Sequence, residues 1–511
     1  MNSRNGTGEE HWGGRHKGTE ARRYGGMDGM FSWPGDLAAT RAIRPCHASR
    51  PCHARATVWP LVAGRLRGDD VAMADAGAMR GETAAGAEGT RWQKLAWVMY
   101  DWANSGYGLV VVGPVFSPYF ISQLLPLLPG SADDHGIVAW GVRIPGSAMM
   151  GLLNSLSMGL MAVGAPVLGA VADIRGWTRR LLIVSATLGS VLAMLMWFLE
   201  PGRWALGATL FVASNFCFGT SFTFYNAYLP RLTRPERQGS LSGWGFAAGY
   251  VGGAIALILG LMLIRRGTGN VPAALALAGA WWLIFSLPAF WWLPDTPPQG
   301  GGGGSVLLAG FRQVKTTLGN VRQYRMLFLF LLAFLLYNDG VETVISMSPA
   351  FATDVLKMPQ EQLIGVFLLV QFVAFVGAAG FGYLADRIGN KAVIFINLSV
   401  WVVAALLALL VKTPTQFAML GAMIGVVLGG VQSSSRALMA QLSPEHIRNE
   451  AFGFFAISGK FASIFGPLLY AGLATGVSPR AGVVSVLPFL AGGLLVLVFV
   501  RAPRTSGDPA R

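Results

Sequence analysis

Eight polar or charged residues stand inside stretches that are otherwise almost wholly apolar: Asp101, Asn104, Asn338, Asp339, Glu342, Gln432, Arg436 and Lys460. Ionisable groups in an apolar medium are costly and normally face a cavity or a partner. Asp339 follows an unbroken apolar run, Met326 to Leu336, and Glu342 comes three residues later, on the same helix face. Two neighbouring carboxylates raise each other's proton affinity, and burial adds to this. Either could exchange a proton as a cavity opens to each side in turn; the plainer alternative makes Asp339 a hydrogen-bonded strut between helices. Asp101 and Asn104 share a face about two turns from Lys94. Asp101 reads equally as the partner of a substrate amino group or of Lys460, or as a gate or cap residue. Lys460 lies well inside an apolar run, where an unpaired ammonium is expensive. Arg436 reads as a group that snorkels to an interface. Gln432 and Ser433 to Ser435 can hydrogen-bond a solute or a neighbouring helix.

A second set sits at the ends of apolar runs, and it occurs twice. Gly169-Ala-Val-Ala-Asp173-Ile-Arg175-Gly176, followed by Arg179 and Arg180, matches Gly382-Tyr-Leu-Ala-Asp386-Arg387-Ile-Gly389-Asn-Lys391. A longer pair runs from Ala227 to Leu232, then Pro235-Glu236, Gly243 and Gly249. Its counterpart is Ala437 to Leu442, Pro444-Glu445, Gly453 and Gly459. A weaker third pair is Tyr100-Asp101 against Tyr337-Asn338-Asp339. All three stay in register, allowing for a longer first external loop, which predicts two parallel six-helix repeats.

The elements that must hold these residues are membrane helices. Of 511 residues, 53% are hydrophobic and only 13% charged, against about 25% charged in a soluble protein. So little charge cannot cover a water-facing surface, and lipid must be part of the solvent. Apolar runs of spanning length are expected near 95–125, 146–170, 181–199, 204–226, 242–264, 272–293, 326–348, 362–384, 391–411, 415–438, 452–475 and 481–500.

The net charge of +14 is spread over short loops, the positive-inside pattern rather than a nucleic-acid footprint. The even-numbered loops carry Arg175, Arg179 and Arg180; Arg231, Arg234 and Arg237; Arg312, Lys315, Arg322 and Arg325; Arg387 and Lys391; and Arg448. Arg265–Arg266 is the main exception. Both termini are therefore expected to be cytoplasmic.

Residues 1–90 are polar, Gly/Arg-rich and without apolar periodicity, which predicts disorder. They read as a basic leader able to touch anionic lipid, or as an over-extended start, since Met73 and Met79 would serve equally well. The two Arg-Pro-Cys-His-Ala strings, beginning at Arg44 and Arg50, have nothing ordered around them to hold four ligands in tetrahedral geometry. Three cysteines make no disulfide framework. Residues 91–294 and 325–501 form the two halves, 295–324 a cytoplasmic linker whose Gly300 to Gly304 run predicts a flexible tether, and 502–511 a short tail.

The doubled Gly-x-x-x-Asp-Arg-x-Gly-x-Lys pattern resembles the signature of the major facilitator superfamily. The second copy matches it; in the first, Ile174 takes the arginine position and Arg175 follows. The resemblance implies that Gly169, Asp173, Arg175, Gly176, Gly382, Asp386, Arg387, Gly389 and Lys391 form a cytoplasmic gate. Tyr100-Asp-Trp-Ala-Asn104-Ser105, Tyr337-Asn-Asp-Gly340, Gln432 to Arg436, Phe454-Phe455, Ser458-Gly459-Lys460, Trp281-Trp282 and the Gly243–Gly253 region resemble the vacuolar-effluxer-like (autophagy-related) branch. This likeness covers about Trp92 to Val500. Its fungal members imply small polar solutes, amino acids among them, and a monomer.

The expectation is an all-α integral membrane protein of the twelve-helix major facilitator fold: a proton-linked secondary transporter of a small polar solute, in a bacterial cytoplasmic membrane or a vacuolar one. A non-transporting sensor or scaffold is the alternative. No Gly-x-x-x-x-Gly-Lys-[Ser/Thr] or His-Glu-x-x-His string occurs, and all six histidines fall in the leader or loops. Nucleotide-driven and metal-dependent chemistry have no support in the chain, and neither cofactor nor metal is expected.

Overall fold

The computed structural model describes residues 88–503 apart from 132, 140, 266, 268–269, 299–304 and 463–464. The leader with its Cys-His strings, Arg266, the Gly300 to Gly304 run and the tail beyond Pro503 lie outside the described residues.

Twelve helices among the described residues are long and apolar enough to cross a membrane. They are α1 (Arg91–Leu124), α2 (Gly146–Arg175), α3 (Thr178–Phe198), α4 (Trp204–Leu232), α5 (Pro235–Ile264) and α6 (Val271–Trp292) in the first half. The second half has α7 (Arg325–Thr353), α8 (Gln362–Ile388), α9 (Asn390–Ala408), α10 (Pro414–Leu442), α11 (Glu445–Gly476) and α12 (Arg480–Phe499). The α2 helix shows why they need lipid. Leu152, Leu156, Leu160 and Val163 are exposed at helical spacing, while Leu153, Ser157, Met161 and Ala165 are buried on the adjoining face. An exposed apolar stripe of this length is stable only against hydrocarbon.

The largest departures from the expected bounds are in three helices. The α4 helix continues to Leu232, α5 begins at Pro235 rather than near 242, and α11 begins at Glu445 rather than near 452. Their extra turns hold Arg231, Gln238, Ser240, Arg448, Asn449 and Glu450, so hydropathy alone hides them. Pro114 has the effect its missing N–H predicts: α1 is interrupted between Val112 and Phe116 and widens to a π-turn over Gly108–Val112. The loop between α1 and α2 contains an unanticipated hairpin, β1 (Gly136–Ala139) and β2 (Val142–Pro145), pairing antiparallel with Ile137 opposite Ile144. The linker is not wholly a tether either, since Val306–Gly319 is helical.

The halves meet through glycines. A Cβ at Gly243 on α5 would lie 2.5 Å from the Ala378 carbonyl oxygen of α8, and one at Gly382 would lie 3.0 Å from the Gly243 Cα. On the other side of the bundle, a Cβ at Gly453 on α11 would lie 2.8 Å from the Pro166 backbone of α2. These backbones approach as closely as small residues allow.

Candidate functional site

The same end of the bundle carries both copies of the repeated motif. Asp173, in the last turn of α2, accepts from three donors at the start of α11: the Asn449 amide N–H (3.2 Å), its Nδ2 (2.7 Å) and the Glu450 amide N–H (3.0 Å). Asp386, in the last turn of α8, accepts from the Ser240 amide N–H at the start of α5 (3.1 Å). Each carboxylate of one half thus meets the positive end of a helix dipole in the other half. Gly169 and Gly239 let the carboxylates approach: a Cβ at Gly239 would lie 2.7 Å from an Asp386 carboxylate oxygen.

The basic residues after each motif do something else. Arg179 donates to the Phe290 carbonyl at the end of α6 (2.7 Å), and Lys391 to the Val500 carbonyl after α12 (2.7 Å). Each closes the last turn of its own half's sixth helix. Gly176 and Gly389 take positive φ, +68° and +87°, where a side chain would be strained. Arg387 is exposed at the surface.

Above this end lies a buried ion pair. The Arg436 Nη1 on α10 donates to the Asp101 carboxylate on α1 at 2.7 Å. Its Nε donates to the Ser242 hydroxyl (2.9 Å) and its Nη2 to the Ser242 carbonyl (2.7 Å) on α5. The guanidinium carbon sits 4.1 Å from the Phe246 ring centroid and 4.6 Å from that of Trp97, a cation–π cage. Arg436 is 1% exposed and Asp101 3%, so Arg436 does not snorkel as its position near a helix end suggested. A partner 335 residues away in the chain removes the need to reach the interface.

Further along the interface between the halves, Glu342 on α7 and Lys460 on α11 are half-buried. Opposite in charge, they form no direct ion pair with one another among the described residues. The Lys460 ammonium lies 5.9 Å from the Phe218 ring centroid of α4. The Tyr250 hydroxyl of α5 donates to the Gln432 carboxamide of α10 across the halves (2.6 Å). Asn338 donates to the Gly459 carbonyl (3.2 Å). Asn104 is buried on α1, its Nδ2 without a hydrogen-bond partner among the described residues.

Asp339 faces elsewhere. Its carboxylate accepts the Gly466 amide N–H at 3.0 and 3.1 Å, in the first turn of the stretch Phe465–Gly476 of α11. Asp339 and Glu342, three residues apart, therefore meet different neighbours.

Trp97, Tyr225, Ser242, Phe246 and Tyr250 escaped the sequence reading. The repeat held a signal for Tyr250: it follows Gly249 as Lys460 follows the equivalent Gly459. No local pattern marks the other four.

Two six-helix halves, joined at one end by carboxylates on helix termini and holding charges between them, define the class as the major facilitator type of transporter. Solved structures of that fold agree. The proton:xylose symporter XylE bound to 6-bromo-6-deoxy-D-glucose aligns with TM-score 0.61 at 14% identity, covering 80% of this chain and 96% of that one. FucP in the outward conformation aligns with TM-score 0.61 at 13% identity, covering 81% and 99%. The family model described as "Vacuole effluxer Atg22 like" matches residues 89–508, and the chain belongs to that family. It is 31% identical over 428 residues to the uncharacterized MFS-type transporter YxiO of Bacillus subtilis (strain 168), covering 81% of this chain and 96% of that one. It is 25% identical over 528 residues to autophagy-related protein 22-1 of Penicillium rubens, covering 79% and 89%. The protein is thus a multi-pass membrane transporter of the MFS type and not an enzyme, and the Bacillus relative supports a bacterial cytoplasmic membrane.

A bulky residue at the glycine contacts should keep the motif-bearing end apart. Gly243→Leu or Gly453→Leu is expected to raise alkylation of a single cysteine at Ser240, whose latch contact is through its backbone, by about five- to a hundredfold, because overpacking costs about 1–3 kcal/mol. Unchanged alkylation in both variants would show that these contacts do not hold this end closed.

Proposed function

We propose that the protein is a secondary active transporter that moves a small zwitterionic solute, amino acids being the leading class, by alternating access with proton coupling. The observation that carries this is the half-buried Glu342 and Lys460, opposite in charge and not in contact. Neither charge would persist there without a partner. A solute bearing both an ammonium and a carboxylate would complete both at once, with Tyr250, Gln432 and Asn338 as neighbouring hydrogen-bonding groups. Asp101–Arg436 is the floor of that site, and the Asp173 and Asp386 contacts are the latch below it. On the positive-inside reading, both termini and the latch are cytoplasmic, so this arrangement is closed to the cytoplasm.

The test is uptake and counterflow of a labelled amino-acid panel in proteoliposomes, with and without an imposed pH gradient. Saturable flux that follows the gradient supports the proposal. No flux for any amino acid overturns the substrate class and favours other metabolites, then a non-transporting scaffold.

Asp339 supplies a sharper test of coupling. In Asp339→Asn the carboxamide oxygen can still accept the Gly466 amide, but no proton can be exchanged. Gradient-driven accumulation is expected to fall at least about tenfold, roughly 1.4 kcal/mol of driving force, while counterflow persists. Full gradient-driven flux with an unaltered pH profile would leave Asp339 as a strut; Asp339→Ala, which removes the acceptor, would then be the damaging change.

A further inference from the structure

The helix Val306–Gly319 between the halves has three distinct faces. Gly310, Gln313 and Thr317 point into the protein. A Cβ at Gly310 would lie 2.9 Å from the Val167 carbonyl of α2, and the Gln313 Nε2 donates to the Glu450 carboxylate of α11 (3.0 Å). A second face, at spacing i, i+4, i+7, i+11, is Leu307, Phe311, Val314 and Leu318. Leu307 is 56% exposed, Phe311 48% and Leu318 49%. Beside it stand exposed Lys315 and Arg312, with Arg322 and Arg325 just beyond the helix. No acidic residue occurs from Ser305 to Arg325.

The level of this helix says what covers its apolar stripe. The α2 helix has 30 residues, about 45 Å at 1.5 Å per residue, against a hydrocarbon core of about 30 Å. Each end therefore overhangs by roughly 7 Å if the helix is centred. Gly310 rests on Val167 and Val171, roughly 12 and 6 Å before the end at Arg175. The linker helix thus sits at the boundary between hydrocarbon and headgroups, and its stripe is continuous in level with the lipid-facing surface of α2. A soluble partner would have to enter that boundary. Lipid is already there, and clustered Lys and Arg beside an apolar stripe favour anionic headgroups.

We propose that Val306–Gly319 is an interfacial helix that binds anionic phospholipid, its apolar stripe in the acyl boundary and Arg312, Lys315 and Arg322 on the headgroups. Through Gln313 and Glu450 the bound lipid bears directly on the start of α11, where Asp173 is held.

The experiment uses the full chain with Cys46, Cys52 and Cys217 replaced by serine and bimane attached at Phe311→Cys. It is reconstituted into phosphatidylcholine vesicles carrying doxyl-labelled phosphatidylglycerol or doxyl-labelled phosphatidylcholine. Quenching is expected from both lipids, with an apparent preference for phosphatidylglycerol of at least about tenfold that weakens with added salt. Arg312→Gln/Lys315→Gln/Arg322→Gln should bring the preference close to unity. Quenching by neither lipid would mean that protein or water covers the stripe, and equal quenching would mean that the basic residues select nothing; either overturns the proposal. Should the triple variant fail to fold, the comparison of the two lipids on the protein with its native charges still decides.

Discussion

Asp101→Asn is expected to swing the protein toward the conformer in which the motif-bearing end is open. The guanidinium of Arg436 is enclosed by Trp97, Phe246, Tyr225 and Ser242, and only Asp101 supplies negative charge within ion-pair distance among the described residues. Removing one partner of a buried pair costs about 3–5 kcal/mol, because the other charge is left uncompensated. Asp101 belongs to α1 and Arg436 to α10, so the penalty falls on the state in which the halves touch here. In the opposite state of the proposed alternating-access cycle the two groups would separate and each could meet water. A penalty of that size shifts a two-state equilibrium by on the order of a hundred- to a thousandfold. Alkylation of a cysteine placed at Ser240 should rise accordingly, and net flux should fall. Arg436→Gln removes the opposite charge and should act in the same direction. Combining it with Asp101→Asn should recover part of the closed population, since no net charge is left buried. Wild-type alkylation rates in both single variants would mean that the pair does not bias the equilibrium between states.

The second large effect concerns the charges left apart. Glu342→Gln and Lys460→Gln should each lower apparent affinity for a zwitterionic solute by about ten- to a hundredfold, since charge-assisted contacts in a dry site are worth about 1.5–3 kcal/mol apiece. The two variants should differ in which analogue they still recognise. Glu342→Gln is expected to retain binding of solutes that lack the ammonium, and Lys460→Gln of solutes that lack the carboxylate. A filter-binding or thermal-shift titration with an amino acid, its methyl ester and its deaminated analogue separates these outcomes. Equal losses for all three ligands would remove Glu342 and Lys460 from the binding role and leave them as helix-packing charges.

Both predictions rest on contacts that were unevenly legible in the chain. Glu342 and Lys460 stood out because a charge inside an apolar run is a local anomaly, visible without any knowledge of its partner. Asp101 stood out for the same reason, but its reading stayed divided, because the choice between substrate, Lys460 and a gate partner depends on what faces it. The place of Arg436 near a helix end points to the interface, because nothing local marks an aspartate on another helix. The spacing of Asp339 and Glu342 points to one face, yet one meets the Gly466 amide and the other faces Lys460. Three residues turn a helix by about 300°, so two such side chains diverge enough to meet different helices.

The sequence by itself determined the membrane class, the twelve spans, the doubling into two halves and the family. Each follows from properties carried along a short stretch of chain: apolar length against bilayer thickness, loop charge, and motifs that recur in register. The tertiary structure alone decided the pairing of Asp101 with Arg436 and of Asp173 with the α11 amides 276 and 277 residues away. It also decided the helical part of the linker and the polar first turns of α5 and α11. Contacts between halves leave no periodic trace in either half, because the apolar pattern records only that a residue is shielded from water. Which helix does the shielding is settled when the halves dock.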